Sequence, residues 1–190
     1  MSTATRTPSP ARRRILGTAT ELFYAEGIHA VGIDRIIAEA GVAKATFYHH
    51  FPSKDDLVRA YIEEMDHAQR AAMAQVEADS PRERLLALFD LLGRVGSMPR
   101  YRGCMFVNAA AEYPDPGHPV RQAIATQRRW FRDTLRDLLA ADGHPDPERT
   151  AAILVVIRDG LVVGSGLDDP QQVRALIRDA VTRVLDGGAA

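Results

Sequence analysis

Apolar residues recur along this chain at intervals of three and four, the period of an α-helix rather than of a strand. Ile15, Leu16, Ala19, Leu22 and Phe23 form one stripe, which predicts a helix from about Pro10 to Glu26, stopped by Gly27. Ile33, Ile36, Ile37 and Ala40 form a second, shorter stripe, and Phe47 with Phe51 marks a third over Lys44 to Phe51. Ser53 caps a long helix running to about Ala78, with Asp55 and Asp56 at the positive end of its dipole. Its buried side reads Leu57, Tyr61, Met65 and Ala68. Ser80-Pro81-Arg82-Glu83 is a capping box ahead of a helix carrying Leu85, Leu88, Phe89 and Leu92. A shorter helix is expected over about Arg102 to Tyr113. A long one follows from Val120, with Ile124, Leu135, Leu138, Leu139 and either Trp130 or Phe131 inward. Residues 150–166 are apolar on nearly every face, which predicts burial on two sides. Asp169-Pro170 opens the last helix, striped by Val173, Leu176, Ile177, Ala180, Val181 and Val184. About nine helices and no strand make the expected fold class all-α.

The two short stripes flank Gly41-Val42, and two helices joined by a Gly-containing turn are the helix-turn-helix layout. Burying Phe47 and Phe51 leaves Lys44, Ala45, Tyr48 and His49 facing outward. The run Ala-Gly-Val-Ala-Lys-Ala-Thr-Phe-Tyr-His-His-Phe-Pro-Ser-Lys-Asp-Asp-Leu, from Ala40 to Leu57, closely resembles the DNA-binding signature of TetR-type transcriptional repressors. Gly32 and Ala43 stand where that family usually has Ser or Thr, so both helices lose a side-chain cap. The resemblance implies a helix-turn-helix DNA-binding domain over residues 1–53, with residues 1–10 a flexible basic arm. It further implies a ligand-binding and dimerisation domain over residues 54–190. Lys44, Ala45 and Tyr48 are placed for base readout in the major groove, and Thr46, His49, His50 and Lys54 for phosphates.

A net charge of −1 gives the protein no global pull toward nucleic acid, so any basic surface is local. It lies at the start, where Arg6, Arg12, Arg13 and Arg14 precede the first acid, Glu21. One cysteine, Cys104, excludes an intrachain disulfide and fits a reducing cytoplasm. No apolar run is expected to reach the length of a membrane span, and the scattered histidines suggest no metal site and no cofactor.

Asn108, Glu112, Gln127, Trp130 and Arg158 are polar or amphipathic residues set in apolar helices. Each is either an anchor for a small molecule or a partner for a neighbouring helix. The resemblance implies a small-molecule cavity among the middle helices, and the expected lining is Phe89, Leu92, Cys104, Asn108, Phe131 and Arg158. Arg158-Asp159 also reads as a plain ion pair. Cys104, with Glu112 and His118 in the same region, leaves a thiol sensor or a small helical enzyme as the alternative to an inert core cysteine. Gly160 and Gly164 permit close helix approach. With Ile153, Val156, Ile157, Leu161, Leu176 and Ala180 they outline the dimer surface that the resemblance implies. The expectation is a cytoplasmic, non-catalytic, homodimeric repressor. It is released from a palindromic operator on double-stranded DNA by an apolar effector.

Overall fold

The computed structural model describes residues 9–187. Among them there are nine helices: α1 Pro10–Glu26, α2 Ile33–Ala40, α3 Lys44–His50, α4 Lys54–Ala74, α5 Pro81–Gly96, α6 Met105–Glu112, α7 Pro119–Ala141, α8 Pro147–Leu167 and α9 Pro170–Asp186. The start of the basic arm, including Arg6, lies outside the described residues. The caps follow the local chemistry. Ser9, Ser80, Asp146 and Asp169 each accept a backbone N–H from the first turn that follows. Ser53 Oγ accepts from Asp56 N at 3.1 Å. Gly32 and Ala43, as their side chains dictate, give α2 and α3 no such bond.

Two compact units result. The first comprises residues up to Met65 together with Asn108–Ala123, and the second Asp66–Val107 with Ile124 onward. In the first, α1, α2 and α3 pack on one another. Ile15, Phe23, Ile36, Phe47, Leu57 and Tyr61 are buried there. In the second, α5, α8 and α9 pack together. Leu85, Leu88, Phe89, Phe131, Leu135, Leu139, Leu154 and Leu161 form one core.

Two sequence expectations change. Ala68 is exposed, while Ile62 and Met73 are buried, because the inward face of α4 does not stay on a single stripe along its length. And α8, at 21 residues, is long and apolar enough by length and composition to cross a membrane. Arg158 and Asp159 interrupt that run without breaking it. Ala151, Leu154 and Leu161 of the same helix belong to the second unit's core, and a core helix passes the same test of length and hydropathy.

Candidate functional sites

The turn between α2 and α3 is built by Gly41. Its φ of 61° is left-handed, a conformation that costs glycine little. Gly41 N donates to Ala38 O and Val42 N to Ile37 O, the pair of bonds that closes a Schellman motif. The chain then enters α3, which is anchored from beneath: Phe47 is fully buried and packs on Phe51, ring centroids 6.2 Å apart. The Arg12 guanidinium lies 5.1 Å over the Phe51 ring, and Ser9 Oγ is 3.1 Å from His50 Nε2. Lys44, Ala45, Tyr48 and His49 are exposed. Tyr48 keeps 42% of its surface free and meets Phe47 edge-on. Lys44 Nζ bonds Asp34 Oδ1 at 3.2 Å, and that bond raises its pKa. Thr46 and His50 are half-buried. Burial lowers the pKa of the Lys54 ammonium against the pull of Glu112 and Asp55.

The first unit holds a second construction that local sequence does not announce. Glu112 Oε1 accepts from Ile28 N at 2.8 Å and Oε2 from His29 N at 2.6 Å, so the end of α6 caps the α1–α2 connection. Tyr113 donates its hydroxyl to Asp55 at 3.0 Å, and its ring lies 5.3 Å from His29 and 4.7 Å from His118. Burial, then Asp55, pushes the Tyr113 phenol well above its ordinary pKa. Glu112 and His118, which lie near Cys104 in sequence, are thereby committed to partners of the first unit.

In the second unit the polar residues sort themselves. Gln127, almost fully buried, donates to Gln69 Oε1 at 2.6 Å, and Trp130 lies under the Arg70 guanidinium at 4.3 Å. Both serve as helix–helix contacts. Arg158 is 3% exposed, with its guanidinium 5.0 Å over the Phe131 ring and Nη1 3.8 Å from Cys104 Sγ. Phe89 and Phe131 lie in the same core and Leu92 packs against it. Asn108 is exposed.

The family model described as bacterial regulatory proteins, tetR family, matches residues 15–61. A second, the tetracyclin repressor-like C-terminal domain, matches residues 115–187. The crystal structure of SCO4454, a TetR-family transcriptional regulator from Streptomyces coelicolor, is 43% identical. It is similar over 95% of this chain and 96% of its own, with a TM-score of 0.90. The chain belongs to the TetR family. The HTH-type transcriptional regulator YjdC of Escherichia coli K12 is 26% identical over 188 residues, 94% of this chain and 98% of its own. LmrA of Bacillus subtilis, also an HTH-type transcriptional regulator, is 27% identical over 150 residues. As a TetR-family member this protein is a DNA-binding regulator of transcription.

Helices α8 and α9 carry large apolar side chains that are exposed. Val156, Gly160, Val163 and Leu167 fall at steps of four, three and four, all exposed, and so form one outer stripe of α8. Val156 is 68% and Leu167 79% exposed; Leu176 on α9 is 69%. Ile153 is exposed, and Ile157 and Ala180 are half-buried. Two residues of the expected surface lie elsewhere. Leu161 is buried in its own unit's core, seven residues after Leu154 and so on the same inward side. At Gly164 a Cβ would meet Val173 of α9 at 3.3 Å, so the close approach it permits is between α8 and α9 of the same chain. At Gly160 a Cβ would meet nothing within 4 Å.

Proposed function

We propose that this protein is a cytoplasmic, homodimeric, effector-responsive repressor without catalytic activity. It binds a palindromic operator through α3 of each protomer. The observation that carries this reading is the presentation of Lys44, Ala45 and Tyr48 on one exposed face, braced from below by buried Phe47. That face offers a donor, a small apolar contact and an aromatic hydroxyl to base edges. Thr46, His49, His50 and Lys54 flank it for the backbone. Engaging a base with Lys44 means releasing Asp34, an exchange between exposed groups that costs little. The outer stripe of α8 with Leu176 supplies an apolar face for a second copy, and twofold pairing makes the operator palindromic.

Two substitutions separate the roles on α3 and α4. Lys44→Ala is expected to change base preference at one position of each half-site by about 1–3 kcal/mol. Lys54→Ala is expected to weaken all duplexes alike and to reduce the salt slope by about one per protomer. Fluorescence anisotropy against the DNA upstream of the protein's own coding sequence, repeated across salt concentrations, reads both. If the two variants behave identically on every sequence, α3 does not read bases.

Release follows if an effector in the second unit prefers a dimer whose two α3 helices no longer match the operator spacing. Helices α4, α6 and α7 each contribute residues to both units, and α4, which follows α3 directly in the chain, is the segment through which such a preference would reach α3. Moving the population from mostly competent to mostly incompetent takes about 5.5 kcal/mol of differential affinity, within reach of a buried drug-sized ligand. Operator DNA then weakens effector binding by the same factor.

The alternative, a thiol sensor, has one contact in its favour, Arg158 Nη1 on Cys104 Sγ. Under the main reading Cys104→Ala leaves operator affinity unchanged before and after treatment with a mild electrophile such as N-ethylmaleimide. Electrophile-driven release in wild type that vanishes in Cys104→Ala would put the sensor reading in its place.

A further inference from the structure

The exposed stripe of α8 has opposite charges at its two ends, and neither end is neutralised within the chain. At one end, a cleft of about 380 Å³ between α7 and α8 is lined by Arg128, Arg129 and Arg132 together with Val155 and Val156, and by no acid. Val156 belongs to the stripe as well, so the cleft opens onto it. Arg128 has its own counter-ion, Asp159, which it grips with both terminal nitrogens. Arg129 and Arg132 do not. Among the described residues neither pairs with a carboxylate: Arg129 donates to Thr126 Oγ1 at 3.0 Å, and Arg132 Nε has no hydrogen-bond partner.

The other end of the stripe is Leu167, and Asp168 and Asp169 follow it directly, both exposed. Among the described residues neither acid has a cation in ion-pair range. Asp169 Oδ1 caps α9, accepting from Gln171 N at 2.9 Å, which leaves Asp168 as the acid with no side-chain partner. Val155 and Asp168 stand about 20 Å apart at the rise of a helix. That exceeds the screening length of about 8 Å at physiological salt, so the two ends do not neutralise each other in one chain.

Such a surface is complementary to itself. Twofold pairing of two α8 stripes is either parallel, which sets arginines against arginines, or antiparallel, which sets each cationic end against an acidic one. A twofold axis through the middle of the stripe, between Gly160 and Val163, brings Asp168 of a second copy level with Val155, in the wall of the cleft. At Gly160 a Cβ would meet nothing within 4 Å, so the middle of the stripe is open to close approach.

We propose that a second copy docks antiparallel across α8, its Asp168 seated against Arg129 and Arg132, with the same contact repeated by symmetry. This rests on the homodimer reading above and adds the orientation and the residues that fix it. The apolar stripe supplies the contact area, and the charged ends set direction and register, as flanking charges do in paired helices.

The test is an exchange of charge in the full-length protein. Arg129→Glu with Arg132→Glu breaks no ion pair within the chain, and Asp168→Lys leaves the Asp169 cap in place. Both variants are therefore expected to keep the wild-type circular dichroism. Each alone is expected to weaken self-association by about a hundredfold or more, because every pair then holds two contacts between like charges. An equimolar mixture is expected to restore a dimer within about tenfold of wild-type affinity. In that heterodimer the introduced glutamates face the introduced lysine, and the remaining arginines face the remaining Asp168. Sedimentation with one variant fluorescently labelled reads all three. Variants that dimerise like wild type, or a mixture that stays monomeric, would overturn the proposal. With a dimeric wild type, either result removes the antiparallel charge pairing and leaves the homodimer standing. A wild type that is itself monomeric removes both.

Discussion

Phe47→Ala is expected to abolish operator binding while leaving the second unit folded. Phe47 is fully buried, and its ring is the support that holds α3 against α1 and α2. Truncating a buried Phe costs about 3–5 kcal/mol, part of it from the cavity left behind. The first unit is small, and α3 has only seven residues and no side-chain cap at its start. Such a helix has little stability of its own and keeps its place only by packing. The loss is therefore expected to appear as separate, early melting of the first unit by circular dichroism. A variant that melts with wild type and still binds operator would show that α3 does not depend on its buried face.

Val163→Arg is expected to convert the proposed dimer to monomer and to lower operator affinity on the order of a thousandfold. Val163 lies in the middle of the exposed apolar stripe of α8, which is otherwise Val156, Gly160 and Leu167. Twofold pairing would bring the two new arginines close together and bury both without partners, at several kcal/mol each. A protomer alone then holds one half-site, with half the contacts. Gly164→Leu is a poorer probe of the same surface, because the first atom it meets is Val173 of its own α9. Sedimentation at micromolar concentration reads the result. Wild-type protein that is monomeric there would remove the dimer from the account.

The helices were legible because their signals are local. Ser80 and Asp146 cap where their side chains reach the third residue on, and Gly41 ends α2 where a left-handed residue is required. Legibility failed where a feature depends on which side of a helix meets what. Helix α8 is apolar nearly all round, so periodicity alone did not separate Leu161, inside, from Val163, outside. Glu112 reads in sequence like any acid at a helix end. Its partners, Ile28 and His29, are more than eighty positions away, and no local pattern announces them. Gln127 and Trp130 were ambiguous for the same reason, and their partners, Gln69 and Arg70, are on a different helix. The face of α3 was legible at the level of residues. Its engagements with Asp34 and Ser9 were not, because each is a contact across a turn or between helices.

Two copies of α3 are proposed to read one palindrome. Selection of the full-length protein on random duplexes tests it most directly. The expected result is an enriched inverted repeat whose half-sites are about one helical turn apart or slightly more, bound by a dimer. No enriched sequence, or an enriched single site without a repeat, would contradict it.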